Sequence, residues 1–434
     1  MPVAIVGGGA SGTILAAQLA RRGIGSALID GSGRMGRGVA YSTTEDAHLL
    51  NVRAEGMSAI AGEPEHFSSW FEQRGGDRRG FARRRLFADY LHELLEEAVA
   101  GGRTELLHST ATRAARNGRW SIDLDDGQAI QVEALVLAIG NQEPAQLRAF
   151  ADVGPHYIAN PWGSDAQAAV RDLAETGTSA LLVGTGLTMV DLVLSLEAAG
   201  YDGSAVAISR RGQVPRSHAD FDAAPVDAGD LPEGSVRELS RWLRRRAGEV
   251  GWRAAIDSLR PHSHPLWQGL SPDQQRRFLR HMRPWWDVHR HRIAPEVARI
   301  VAGLVAGGFL EVAAGRIVSA VAAPDGIDVA IRRRGSDEER TQRFAYVFNC
   351  TGPLQDISRT RDPLLRGLLE ANAIRADRLG MGIEVDGQSR AEGSDRLWAL
   401  GPLTKGRYWE IIAVPDIREQ AAAVADDIAR ELSK

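Results

Sequence analysis

Residues 181–191 read LLVGTGLTMVD: a short apolar run, then Gly184-x-Gly186 opening a helical pattern. Residues 3–12 read VAIVGGGASG and do the same, with Gly7, Gly9 and Gly12 at the spacing G-x-G-x-x-G. One strand–turn–helix of this kind is a motif; two in one chain, each leading a similar order of elements, are a repeat. In the first copy a helical pattern runs through Leu15, Leu19 and Arg22, and a second apolar run, Ser26–Ile29, ends at Asp30. Gly7 permits the tight turn, Gly9 lets backbone approach a pyrophosphate, and Gly12 lets the helix pack close to its strand. The helix N-terminus at Ala10 and Ser11 then faces the phosphates, and Asp30 accepts from a ribose hydroxyl. In the second copy Met189 stands where the third glycine belongs. Methionine is flexible and fills a wider gap, so Gly184, Gly186 and Thr188 are expected to form a working but looser site.

Nicotinamide and flavin dinucleotides both use this unit, and the segment that follows Asp30 separates them. It is a long loop, GRMGRGVAYSTTEDAHLLNV (33–52), containing Gly38, Val39, Tyr41, Asn51 and Val52, in place of another strand–helix unit. Extended loops at this place run alongside a flavin in two-domain flavoproteins. The turn signals RNG (116–118) and DDG (125–127) then break the chain into strands that close with ALVLAIGN (134–141), ending in Gly140. The order recurs after LLVGTG. Ala205–Ile208 is a second strand, residues 310–334 form a hairpin around Pro324-Asp325-Gly326, and YVFNCTGP (346–353) runs into Thr351-Gly352. RLWALGPL (396–403) adds one more strand, ending in Gly401. The expected fold is α/β, with two Rossmann-like dinucleotide-binding domains, the second inserted into the first. The expected boundaries are 1–155 and 346–434 for the outer domain and 156–345 for the inner one, with a mostly helical insert at about 213–300.

That insert has no counterpart in the first repeat. It holds five of the ten tryptophans, between Trp242 and Trp286, and five of the eleven histidines, between His262 and His291. PEGSVRELSRWLRRR, SPDQQRRFLRHM and PEVARIVAGLV are capped or proline-led amphipathic runs. WWDVHRHR (285–292) is the candidate substrate segment: Trp286 and His289 for packing, Arg290 and Arg292 for a carboxylate or phosphate. His289 and His291 lie two apart, a spacing that suits an extended segment, and without further ligands no metal site is expected.

A net charge of −4 disfavours nucleic acid as the partner. No apolar run reaches the roughly 18 residues of a membrane span, and MPVAIVGGG enters a strand with no secretion signal. The single cysteine, Cys350, excludes Cys-x-x-Cys redox chemistry. A cytoplasmic enzyme acting on a small molecule is the expectation, with a dimer by base rate.

On these residues the chain resembles the two-dinucleotide-binding-domain flavoproteins. It is most similar to a bacterial group of FAD/NAD(P)-binding proteins related to flavin-dependent N-hydroxylases and other single-component monooxygenases. The likeness is carried by GGGASG (7–12), RGVAYST (37–43), HLLNV (48–52), GTGLTMVD (184–191), ISRRG (208–212), WDVHRHR (286–292), NCTGP (349–353) and GRYWEIIAVPDIREQA (406–421). The resemblance implies FAD held by the outer domain and NAD(P)H docking on the inner one. Arg210 and Arg211 stand where an acid would meet a 2′-hydroxyl, which favours NADPH over NADH. It implies a C-terminal helix whose start, at Pro415, Asp416 and Ile417, faces the flavin, with Asp416 as its cap. It also implies Asn51 as a donor near flavin N5 and Trp409 packed on the flavin ring. Gly401 precedes Pro402, where many flavoproteins place an aspartate. The activity implied is NAD(P)H- and O2-dependent hydroxylation of a small molecule through a C4a-peroxyflavin. The alternatives are a flavoprotein reductase without oxygenation, or a non-catalytic flavin-binding sensor.

Overall fold

The computed structural model describes all 434 residues. In the outer unit β1 (Val3–Val6), β2 (Ser26–Ile29) and β3 (Thr104–Leu107) come first. A three-stranded meander follows, β4 (Ala111–Asn117), β5 (Arg119–Leu124) and β6 (Ala129–Val132), and then β7 (Ala134–Leu137). VAIV, SALI and ALVL are buried at every residue, as strands covered on both faces must be. α1 (Ala10–Arg21) leaves the first glycine turn, and α2 (Gly38–Tyr41), α3 (His66–Glu72) and α4 (Arg84–Ala100) fill the connection from β2 to β3.

The inner unit begins with β8 (Tyr157–Ile158), α5 (Ser164–Thr176), β9 (Ala180–Val183), α6 (Leu187–Ala198) and β10 (Ala205–Ser209). A run of helices follows: α7 (Val236–Val250), α8 (Trp252–Ser258), α9 (Ser263–Gly269), α10 (Pro272–Arg277), a π-helical turn at Phe278–Met282, and α11 (Arg283–Arg290). Ser235 and Ser271 cap α7 and α10 by accepting from Glu238 and Gln274 amides. α12 (Pro295–Ala306) leads into β11 (Leu310–Ala323), then β12 (Gly326–Arg333), β13 (Glu339–Phe344) and β14 (Tyr346–Asn349). The chain returns through α13 (Pro363–Glu370) and β15 (Leu397–Ala399) and ends in α14 (Val414–Leu432).

The outer sheet has the order β15-β7-β1-β2-β3, and each of its pairs is parallel. The inner sheet runs β13-β12-β11-β10-β9-β14-β8. β11 belongs to both of its parts: Leu310–Ala314 pair parallel with β10, and from Gly315 onward the strand pairs antiparallel with β12. In both units the glycine-turn strand is internal, so its carboxyl end opens where the chain changes direction across the sheet. α1 packs between α4 and α14 over one face of the outer sheet, and α13 lies with the meander on the other.

Two expected boundaries are corrected. β14 pairs with β9 and β8, so Tyr346–Asn349 complete the inner sheet and the return to the outer unit starts after them. α12 packs on α6 and β11 as the crossover helix between β10 and β11, so the helical insert stops at the end of α11. Local composition shows neither point, because both depend on which strands pair.

Candidate dinucleotide and substrate site

The two glycine turns are built alike. Gly7 has φ +107° and Gly184 φ +127°, both in the region that favours glycine. A Cβ on Gly7 would lie 2.4 Å from the Ala138 carbonyl oxygen, and one on Gly184 would lie 2.2 Å from that of Cys350. In each case the clashing residue is the first after the neighbouring strand, β7 or β14. Gly9 and Gly186 are the N-caps of α1 and α6, both extended and without a side-chain cap. The amides of Ala10, Ser11 and Gly12 bond to no carbonyl, and neither do those of Leu187, Thr188 and Met189. These free donors, with the positive end of the helix dipole, are what a dinucleotide phosphate requires. A Cβ on Gly186 would meet nothing within 4 Å, so the space over the inner turn is open.

The third position separates the two. A Cβ on Gly12 would fall 1.9 Å from the Gly7 carbonyl oxygen, so α1 can lie this close only with glycine there. Met189 is fully buried, which requires α6 to stand further from its turn. The first α6 hydrogen bond, Val190 N–H to Gly186 O, is 3.2 Å against 3.0 Å for Thr13 N–H to Gly9 O.

Asp30 is engaged on both oxygens. Oδ2 accepts from the Gly8 amide at 2.7 Å and Oδ1 from that of Ser32 at 2.7 Å. It therefore braces the turn from the end of β2, with further lone pairs left for a ribose. The 33–52 loop folds back on this turn: the Gly36 amide donates to Gly8 O at 2.8 Å, and Gly38, at φ +63°, rests on Gly9. Val39 is exposed, while Tyr41 sits edge-on to Phe87 and Val52 is half-buried. Gly140 and Gly352 end the matching strands at φ +77° and +91°. Gly401, at φ +68°, faces Ser11 on α1. Past β10, Arg210 is exposed without a partner, and Arg211 reaches the His281 carbonyl and lies over Trp285.

The units are joined by groups that local patterning did not single out. Arg84 of α4 makes a bidentate pair with Asp191 of α6, both contacts 2.8 Å; Asp191 is buried and Arg84 nearly so. His48 Nε2 bonds the Asp191 carbonyl at 2.9 Å and its Nδ1 meets Thr43 Oγ1 at 2.7 Å. The signal was present: an acid inside the apolar run LTMVDLVLSLEA needs a buried partner. Removing one side of such a pair costs about 3–5 kcal/mol. Asn51 lies at the same junction, where its carbonyl accepts from His218 Nε2 at 2.9 Å. Burial pulls the His218 imidazole down to about 4, so it donates there as the neutral ring.

The start of α14 meets the helical insert. Its N-cap is Ala413 with no side-chain bond, so Asp416 is a first-turn residue and not the expected cap; Pro415 occupies the first turn and Ile417 is buried. The physical reason is that the chain enters one residue before the proline, whose fixed φ begins the helix. Around this terminus lie Arg260, His264, Arg290, Lys405 and Glu410. Glu410 is buried, and burial raises its carboxyl, but His291, Arg290 and a Trp286 hydrogen bond of 2.6 Å outweigh that and hold it below the usual range. Burial raises the Asp416 carboxyl despite Arg260 and Arg290. Arg290 Nε approaches Glu410 Oε2 at 3.2 Å without hydrogen-bond alignment, so both keep unused capacity.

The expected substrate segment is divided by the fold. Residues 283–290 are helix α11 and not an extended stretch, because Pro284 starts a helix and Val288 and Arg290 are buried on it. His289 Nδ1 faces the Trp285 carbonyl at 2.8 Å. Arg292 is 2 % exposed and bound to Asp257, so its charge is already matched inside the insert. Trp286 and His289 line an apolar cavity of about 340 Å³ between α7, α8, α9 and α11. Trp409 forms another wall, stacked on Trp267 at 5.0 Å and edge-on to Phe278 at 5.1 Å, within the aromatic core of the insert.

Two sheets with parallel cores, each with a glycine turn at the carboxyl end of an internal strand, define the two-dinucleotide-binding-domain fold. Residues 4–142 match the sequence family described as FAD-NAD(P)-binding. Solved structures share the architecture along nearly the whole chain. The reduced ornithine hydroxylase of Pseudomonas aeruginosa matches with a TM-score of 0.69 at 16% identity, covering 99% of both chains. L-lysine 6-monooxygenase of Pseudomonas syringae gives 0.70 at 18%, and ornithine N-hydroxylase of Kutzneria sp. 744 gives 0.70 at 16%, each covering 99% of both chains. No curated protein matches the sequence. No helix is long and apolar enough to cross a membrane.

Proposed function

We propose that this protein is an FAD-dependent, NAD(P)H-using oxidoreductase, a single-component monooxygenase that hydroxylates a small molecule. The observation that carries the reading is the difference between the two turns. The outer turn is tight, glycine at all three places, and braced by Asp30. The inner one is wider and ends its second strand in Arg210-Arg211. A tight, acid-bearing turn suits a resident dinucleotide with a free ribose; a looser, arginine-bearing turn suits a phosphorylated cosubstrate that enters and leaves. The names of the structural relatives, hydroxylases of ornithine and lysine, support the same class.

The amides of α1 and α6 would hold the two pyrophosphates, and Arg210 would pair with a 2′-phosphate, with NADH the weaker alternative. Bound there, the flavin supplies the two-electron path from NADPH to O2, one oxygen entering the substrate and the other leaving as water. The start of α14 presents the positive end of its helix dipole and one unbonded amide, that of Val414, which would favour negative charge on a ring held against it. The helices α7–α11 cover the junction and exclude water. Asn51 holds its side chain free of protein partners beside it, its backbone fixed by His218. Cys350 is buried and its thiol is pushed up by burial, so a thiol–disulfide relay has no reactive group here.

The test is to purify the protein, record its visible spectrum and compare NADPH with NADH as reductant. A flavin spectrum bleached by NADPH, and O2 uptake matched by oxygenated product, are expected. Reduction with artificial acceptors and release of all O2 as peroxide, with every candidate substrate, would support the reductase alternative instead.

A further inference from the structure

The chain has 52 basic residues, and only two, Lys405 and Lys434, are lysines. Lys434 is the last residue. Lys405 lies inside the protein, nine-tenths buried, and its ammonium makes no hydrogen bond and no ion pair with the protein. Its neighbours are Arg283 and Asp287 from α11, and Glu410. Asp287 is engaged by Arg283, and Glu410 accepts from Trp286 through Oε1 while its Oε2 faces Arg290 without a hydrogen bond. The Lys405 ammonium instead rests 5.0 Å from the centre of the Trp409 ring. The Trp409 indole N–H is also buried and unpartnered. A buried indole N–H and a mostly buried ammonium thus meet at one ring, and neither is hydrogen-bonded to the protein, which is costly unless something else accepts from them.

That same ring closes the apolar cavity. Its other walls include Leu239 and Leu243 of α7, Ile256 of α8, Leu266 and Trp267 of α9, and Trp286 of α11. α7 is nearly all half-buried or exposed, with Val236 its one buried residue, so its apolar face is turned to a cavity that the protein itself leaves unfilled. At about 340 Å³ the cavity falls within the range of small-molecule sites.

We propose that the insert binds an amphiphilic organic acid, its apolar or aromatic body in the cavity between α7, α8, α9 and α11 and its carboxylate on Lys405 and the Trp409 indole N–H. The cavity sets the body: its walls are aliphatic and aromatic, and a short charged chain such as that of ornithine would strip its ammonium of water there without a matching acid. The unmatched donors set the head. Calling this ligand the substrate rests on the flavin reading; its binding does not.

The experiment measures binding by tryptophan fluorescence and calorimetry on the purified full-length protein, with 3-phenylpropionate, 3-phenylpropanol, 3-phenylpropylamine and L-ornithine as probes. The acid is expected to bind at least about tenfold more tightly than the alcohol, the amine or ornithine, the scale of one charge-assisted hydrogen bond. Lys405→Met should erase the preference for acid over alcohol while leaving alcohol binding in place. Leu243→Trp, which fills the cavity, should remove binding of both; Ala247→Trp on the same helix face serves if the first variant does not fold. Equal binding of acid and alcohol, unchanged acid binding in Lys405→Met, or a preference for ornithine overturns the proposal. NADPH oxidation is followed in parallel. Acid binding without flavin reduction leaves the ligand site standing and removes the monooxygenase reading; flavin reduction without acid binding does the reverse.

Discussion

The two glycine turns share a strand, a positive-φ glycine pressed against the next strand's exit, and a glycine N-cap, and they part at one residue. In the outer turn Gly12 lets α1 lie on the Gly7 carbonyl; in the inner turn Met189 holds α6 away and fills the gap from below. The second strand then ends in an acid on one side and in two arginines on the other. The difference shows that loss of a motif glycine need not mean loss of a site. The first two glycines govern approach to a phosphate, and the third governs helix–strand distance, which a buried flexible side chain can reset.

The largest effect should come from the positions the turns share. Valine at Gly7 or Gly184 must adopt a positive φ and also displace a backbone carbonyl, so each should cost more than about 3 kcal/mol locally, or roughly a hundredfold in affinity. Gly7→Val should purify without flavin colour. Gly184→Val should keep the colour and lose reduction by NADPH, read by absorbance during titration. If both lose colour, the two turns are not separate sites.

Met189→Gly restores the motif and tests what the methionine does. Deleting a fully buried Met and placing glycine in the first turn of α6 should destabilise the protein by about 3–5 kcal/mol, read by urea unfolding. A neutral result would mean that α6 closes onto its strand as α1 does, and the contrast would collapse.

The junction between the units carries a pH signature of about the same size or less. The His218 ring has its folded pKa at about 4, below the ordinary 6.5, so the folded state binds fewer protons than the unfolded state between those values. Its contribution is fully present above pH 6.5 and is lost as pH falls toward 4, on the order of 3 kcal/mol in total. His218→Gln should flatten that part of the stability–pH curve, measured by denaturant unfolding at pH 7, 5.5 and 4.5.

The smallest effect separates the cosubstrates. Arg210→Ala should weaken NADPH by about tenfold and leave NADH unchanged, the scale of one exposed charge-assisted contact. Equal loss for both would assign Arg210 to general phosphate attraction instead.

The outer turn, its acid, the repeat and the capped helices of the insert were legible because each is written in short local patterns of sequence, or in the recurrence of one. The capping serines 235 and 271 and the strands VAIV, SALI and ALVL needed no partner to be read. The assignment of β14 to the inner sheet, and of α12 to its crossover, was not legible, since strand pairing joins residues far apart in sequence. WWDVHRHR shows the same limit within eight residues. Its composition pointed to a polar binding segment, but the fold paired Arg292 with Asp257, set Arg290 against Glu410, and left Trp286 and His289 on an apolar cavity. Asp191 and Lys405 were visible as an acid in an apolar helix and a lone internal lysine, yet neither has meaning without its surroundings.

By itself, then, the sequence determined that this chain folds as two nucleotide-type α/β units, because glycine spacing and apolar periodicity act through local backbone sterics and burial. Only the tertiary structure decided how they are joined, through Arg84–Asp191, His48 and His218, and what faces the cavity. Those depend on which charges find partners once distant segments meet, and partner choice in a low-dielectric interior is a property of the assembled fold.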